Sequence, residues 1–207
     1  MARRGRFIAL EGGEAAGKST QARLLADRLD AVLTREPGGT PLGERVRAVL
    51  LDRSIGPVEP RAELMLVLAA RAAHVAEVIA PALAEGRDVV CDRFDGSTLA
   101  YQGYGRGLPL GEVRDACAVA SGGLEPDCTV LVDVNDSVAS RRRGPDPDRI
   151  EAEDAAFHDR VRAGFRELAR RPRWVVVDGD ATVEVVAERV ASAVAGVLGD
   201  AGVRSAP

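Results

Sequence analysis

Arg6-Phe7-Ile8-Ala9-Leu10-Glu11-Gly12-Gly13-Glu14-Ala15-Ala16-Gly17-Lys18-Ser19-Thr20 opens on an apolar run of strand length and closes on the start of a helical pattern that continues to Leu29. Strand, loop and helix, with glycines at 12 and 17 ahead of Lys18 and Ser19, make the spacing of a phosphate-binding loop. Glycines let successive backbone N–H groups turn inward around phosphate oxygens, and the following helix aims the positive end of its dipole at the same point. Lys18 is the only lysine among 207 residues, and every other fixed cation is arginine. A compact ammonium on a flexible stem reaches between two phosphates, which a planar guanidinium fork does poorly. The stretch therefore predicts a nucleoside triphosphate site built from Gly12, Gly13, Glu14, Ala15, Ala16, Gly17, Lys18, Ser19 and Thr20. The Ser19 hydroxyl is offered to magnesium.

Outward from the loop, apolar runs of strand length recur at Ala31 to Leu33, Val89 to Cys91, Val130 to Val134 and Trp174 to Val177. Helical patterns separate them: Leu42 to Leu51, Ala62 to Glu85, Gly111 to Ser121, Asp154 to Arg171 and Val183 to Leu198. Alternation of this kind predicts an α/β fold with a parallel sheet covered on both faces, because a parallel connection needs a crossover long enough to hold a helix. Ligands of such sheets bind at the carboxyl ends of the strands. No repeat or linker divides the chain, so residues 1–207 read as one domain with a frayed tail over 200–207.

The loop itself supplies no arginine, yet phosphoryl transfer needs charge on the moving group neutralised. The run Arg141-Arg142-Arg143-Gly144-Pro145-Asp146-Pro147-Asp148-Arg149 breaks into a Gly/Pro segment between helical stretches. It reads either as a lid over about 141–150 that closes guanidinium groups on the triphosphate, or as a solvated helix end favoured by the helix dipole. For the run as a whole the lid fits better. Asp92-Arg93 closes the run at Val89, and there Asp92 can orient magnesium near Ser19 while Arg93 holds a phosphate on the acceptor side; the plainer reading is a local ion pair. Glu14 repels phosphate, so a sugar hydroxyl is its expected partner.

With 46% hydrophobic and 29% charged residues the chain has a soluble globular composition, and its length buries about 70% of the extended surface. A net charge of -4 argues against a general nucleic-acid surface. Cys91, Cys117 and Cys128 are too scattered for a disulfide framework or zinc site and read as small buried residues. His74 and His158 lack metal-like spacing. The basic start, Met1 to Arg6, leads into a strand instead of an apolar signal core, and no window is expected to reach the roughly 18 apolar residues of a membrane span. The expectation is a cytoplasmic protein without a membrane partner.

Several segments together resemble the thymidylate kinase family: Phe7 to Gly12 with the loop, Thr34-Arg35-Glu36-Pro37-Gly38-Gly39-Thr40, Asp92-Arg93-Phe94, Ser97-Thr98-Leu99-Ala100-Tyr101-Gln102-Gly103 and Asp148-Arg149-Ile150-Glu151. The resemblance covers nearly the whole chain. It implies a nucleoside monophosphate kinase fold of five parallel strands, a homodimer, and transfer of phosphate from Mg-ATP to dTMP. Under it Glu14 approaches the sugar 3'-hydroxyl, Arg93 and Arg47 hold the dTMP phosphate, and Arg71 reaches the thymine edge. Thr98 and Gln102 lie near the base, Tyr101 crowds the 2' carbon, and Glu36, Pro37 and Ser97 belong to the same acceptor site. Lid arginines, Arg142, Arg143 and Arg149, approach the transferred phosphate as in bacterial members that lack a basic residue in the loop. Two departures stand out: Ala15 replaces a usual glycine, and Val67 and Leu68 replace the aromatic that stacks on thymine. The second motivates an alternative acceptor, another pyrimidine or modified deoxynucleotide. A nucleotide-dependent switch is the alternative of a different class, although the committed lone lysine leaves none for the Asn-Lys-x-Asp segment that commonly selects guanine.

Overall fold

A computed structural model describes residues 3–142, 144 and 146–199. Five parallel strands, β1 (Phe7–Glu11), β2 (Val32–Arg35), β3 (Val89–Asp92), β4 (Cys128–Asp133) and β5 (Trp174–Asp178), pair in the order β2-β3-β1-β4-β5. The central β1 is buried along its whole length, as expected of a strand covered on both faces. Ile8 and Leu10 join a core with Leu25, Val130, Val190 and Val194, whereas Phe7 and Ala9 join another with Ile79, Leu83 and Phe94. A period of two thus separates the two layers.

The helices are α1 (Lys18–Leu29), α2 (Pro41–Leu51), α3 (Pro60–His74), α4 (Ala80–Ala84), α5 (Asp95–Thr98), α6 (Leu110–Ser121), α7 (Asp136–Arg142), α8 (Ala155–Leu168) and α9 (Val183–Leu198). Their starts have local causes. The side chains of Thr40, Glu59 and Asp154 accept from Gly43, Ala62 and Phe157 amides, and Pro41 and Pro60 occupy first positions where no donor is needed. All five strands and the six expected helices are present, with ends moved by a few residues. The expected Ala62 to Glu85 helix is α3 and α4 joined by a π-turn, Val75–Ile79.

Two findings differ from the sequence reading. Pro60–Ala84 is long and apolar enough to cross a membrane, but Leu64, Leu68, Ala70, Ile79, Ala82 and Leu83 on it are buried in protein cores. Residues 95–105 form a helix, α5 followed by a π-helical turn Leu99–Gly105, where no helix was expected. Its glycines disguise it. A Cβ on Gly103 would lie 2.5 Å from Leu110 and one on Gly105 would lie 2.7 Å from Phe157. Those positions are empty of side chain because α6 and α8 press against them.

Candidate functional site

The phosphate loop crosses the carboxyl end of β1. Gly12 has φ 145°, and a Cβ there would strike the Val132 carbonyl oxygen at 2.5 Å, so the loop leaves the sheet along a path open to glycine alone. Ala15, where glycine is usual, nevertheless adopts φ 56°, a left-handed conformation that costs an L-residue about 1–2 kcal/mol. Lys18 is buried and donates from Nζ to the Gly13 carbonyl at 2.6 Å. Burial first, then repulsion from Arg93, lowers its pKa to about 8 against the pull of Glu14, Asp92 and Glu11. Most lysines keep this charge in water; here it is held inside the loop, ready for phosphate.

Ser19 donates to Asp92 Oδ2 at 2.5 Å, joining the first turn of α1 to the end of β3. Asp92 Oδ1 is buried without a hydrogen-bond partner. Among the described residues no cluster of three or more His, Cys, Asp or Glu side chains could cage a metal. Magnesium rarely needs such a cage, since it keeps waters and binds through one or two carboxylates plus substrate phosphates. An orphaned carboxylate oxygen beside a hydroxyl at the foot of the loop fits that ion.

Arg93 follows β3 with φ 72°, a strained conformation for a side-chain-bearing residue, and its amide is fixed by the Leu10 carbonyl at 2.9 Å. The guanidinium spans the gap between donor loop and acceptor side. NH1 donates to the Gly12 carbonyl at 3.1 Å and to Ser97 Oγ at 3.0 Å, and NH2 donates to Glu14 Oε1 at 2.8 Å. Tyr101 donates to the same Glu14 oxygen at 2.5 Å. Burial alone would raise the Glu14 carboxyl, but Arg93, Lys18 and Tyr101 outweigh it and leave the pKa at about 2. Glu14 is therefore an anion at any working pH.

Beside Arg93 lies a cavity of about 120 Å³ that opens to solvent on the acceptor side. Glu14, Glu36, Pro37, Arg47, Val67, Arg71, Arg93, Ser97, Thr98, Tyr101 and Gln102 line it, so ten expected acceptor residues and Glu14 meet there. Leu50, Leu51, Glu63, Phe94, Asp148 and Ile150 complete the wall. Arg71, 1% exposed, donates to Glu36 Oε2 at 2.7 and 2.8 Å, to Thr98 Oγ1 at 2.9 Å and to Cys117 Sγ at 3.2 Å. His74 bridges Glu36 Oε1 at 3.0 Å and Thr34 Oγ1 at 2.6 Å. Burial favours neutral Glu36, yet Arg71 holds its carboxyl below the usual range. Arg47 donates to the Pro37 carbonyl at 3.2 Å.

Several expectations require correction. Leu68 does not line the cavity; it packs in the core with Leu64, Leu99 and Phe165, because it lies on the inner face of α3 while Val67 turns to the cavity wall. Arg149 is no exposed lid residue: it is 8% exposed, donates to the Leu50 carbonyl at 2.8 Å and pairs with Glu63 at 2.7 Å. Glu63, fully buried, also takes Gln102 and Arg106, so it draws Arg149 inward as charge compensation. Arg142 ends α7 and donates to the Gly179 and Ala181 carbonyls at 3.2 and 3.5 Å, beside the β5–α9 turn. Arg143 and the tail over 200–207 lie outside the described residues. The reading missed Glu63 and Phe94, although an acid on an apolar helix face and an aromatic next to Asp92-Arg93 were visible signals. Arg71 sits over the Phe94 ring at 4.7 Å.

Comparison with known proteins agrees with this geometry. The chain is 50% identical to the thymidylate kinase of Gloeobacter violaceus, over 91% of this chain and 93% of the relative. It is 46% identical to that of Desulfovibrio desulfuricans, over 93% and 96% of the two chains. The crystal structure of thymidylate kinase from Ehrlichia chaffeensis superposes with a TM-score of 0.76 at 32% identity, covering 92% of this chain and 98% of that one. A thymidylate kinase family model matches residues 10–190, from β1 into α9, and the chain belongs to the thymidylate kinase family.

Proposed function

We propose that this single-domain chain moves the γ-phosphoryl group of Mg-ATP directly to dTMP, by positioning and charge neutralisation without a covalent enzyme intermediate. The observation that carries the mechanism is Arg93: one guanidinium touches both the Gly12 carbonyl at the root of the donor loop and the wall of the acceptor cavity. Lys18 exchanges the Gly13 carbonyl for β- and γ-phosphate oxygens. Arg93 and Arg47 exchange backbone carbonyls for the dTMP phosphate, and Glu14, released from Arg93, accepts the sugar 3'-hydroxyl. Arg71, Thr98 and Gln102 face the base edge, while the Tyr101 ring closes on the 2' carbon. The acceptor is a phosphate oxygen already ionised, so no general base is required. Ser19 and Asp92 would hold magnesium, which when bound neutralises charge on the phosphate oxygens.

A coupled ATP assay across nucleoside monophosphates tests this. Turnover is expected with dTMP, falling at least 100-fold in Lys18→Ala and Arg93→Ala, in the range lost with a transition-state cation or donor. No turnover with dTMP beside good turnover with another acceptor would overturn it. Val67, aliphatic at the cavity wall, favours a second reading in which another pyrimidine deoxynucleotide is the better acceptor, and the same panel separates the two.

We further place the protein in the cytoplasm as a homodimer. Exposed Leu42 and Val49 on α2 and Met65 on the neighbouring α3 support a shared face. The net charge of -4 supports the absence of a nucleic-acid partner, and burial of apolar residues along Pro60–Ala84 supports the absence of a membrane one.

A further inference from the structure

Glu11 ends β1, next to Gly12 of the phosphate loop, and is completely buried. None of the steps above uses it. Its Oε1 accepts from the backbone amides of Phe94 at 2.9 Å and Ser97 at 3.0 Å, and its Oε2 accepts from the Ser97 hydroxyl at 2.6 Å. Ser97 Oγ in turn accepts from Arg93 NH1 at 3.0 Å. A Cβ on Gly96 would stand 2.8 Å from Glu11 Oε1, so α5 approaches the carboxyl group as closely as glycine permits. Burying a carboxyl group is costly unless its oxygens are satisfied, and every donor here comes from residues 94–97. Desolvation lifts the group to about 7 against the pull of Ser97, Phe94 and Arg93.

We propose that Glu11 is a positioning residue for the acceptor phosphate. Through the Ser97 hydroxyl it fixes the guanidinium of Arg93, and through two amides it fixes the first turn of α5, both against the root of the donor loop. The Arg93 guanidinium sits at the end of a long rotatable stem, and once nucleotides take over the Gly12 carbonyl and Glu14 contacts, Ser97, at 3.0 Å, is the nearest side-chain hydroxyl left to set its direction. Ser97 supplies that direction because its hydroxyl donates to Glu11 and is left with its lone pairs facing Arg93. The inference rests on the reading of Arg93 as the phosphate grip.

The test is steady-state kinetics on the full chain with Glu11→Gln, Ser97→Ala, their double variant and Arg93→Ala, varying dTMP and ATP separately and recording melting temperatures. Glu11→Gln replaces one acceptor oxygen by a donor, and Ser97→Ala removes the relay while leaving the two amide bonds. Both are expected to raise KM for dTMP about tenfold with KM for ATP within twofold, and the double variant to be no worse than the worse single one, as residues in one network behave. A dTMP KM within twofold in Ser97→Ala, equal losses for both nucleotides with a lowered melting temperature, or an additive double variant would overturn the proposal. If Glu11→Gln does not fold, Glu11→Asp, which keeps the carboxylate but shortens its reach to Ser97 and the two amides, takes its place, with the same selective rise in KM for dTMP expected and an unchanged dTMP KM overturning the proposal. An unchanged dTMP KM in Arg93→Ala overturns the underlying reading of Arg93, and with it the proposal. A rise in Arg93→Ala with none in Ser97→Ala overturns the positioning role alone.

Discussion

At the scale of residues, Lys18 separates activity from stability. Its folded pKa of about 8 lies below its ordinary value of 10.5, so as pH rises the folded protein loses this proton first. Between those values the unfolded chain binds more protons and stability rises with pH, while the ammonium needed for phosphate disappears. The kcat/KM for ATP, which reports the free enzyme, is expected to fall above about pH 8 as the melting temperature holds or rises; a flat profile to pH 10 would contradict the assignment. Val67→Phe restores an aromatic wall, worth about 1 kcal/mol, and is expected to lower KM for dTMP several-fold, with an unchanged or raised KM counting against the base pocket. Ala15→Gly relieves about 1–2 kcal/mol of left-handed strain but returns about 0.4–1 kcal/mol of chain entropy. Thermal denaturation is expected to show a small net gain in stability. Lys18 and Arg93 were legible in the sequence because the phosphate loop and the Asp-Arg strand end name them, Glu14 because a carboxylate inside a phosphate cradle is conspicuous, and Arg71 only through the resemblance to a known family. Arg149 was misread because its partner Glu63 is 86 positions away, and no local pattern reveals which distant carboxylate will claim a guanidinium.

At the scale of elements, periodicity made five strands and six helices legible, since half-buried surfaces impose periods of 2 and 3.6. The segment 95–105 escaped because tertiary contact, not propensity, writes its sequence: helix α8 packs against the Leu99–Gly105 turn through Phe157 and Val161, both within 3 Å of a Cβ placed on Gly105. Gly105→Ala is therefore expected to destabilise the protein by roughly 1–3 kcal/mol through overpacking. Chemical denaturation measures this, and a change under 0.5 kcal/mol would mean that the turn shifts freely. Because Tyr101 and Gln102 ride on the same turn, dTMP binding should weaken alongside stability.

At the scale of the molecule, the fold sets two phosphate sites against each other. β1 ends in the donor loop, neighbouring β3 ends in Asp92, and the chain then turns through Arg93 into the acceptor wall. The charges between them are mutually satisfied: Lys18 on a carbonyl, Glu14 on Arg93, Ser19 on Asp92. Each of these contacts is one that a nucleotide can take over, so binding of the two substrates substitutes partners instead of exposing unpaired charge. Direct transfer between the two sites is the central claim, and its stereochemical course tests it most directly. With ATP made chiral at the γ-phosphorus, one in-line displacement onto dTMP predicts inversion of configuration in the dTDP formed; retention would require an enzyme-bound phosphoryl intermediate and would contradict the account.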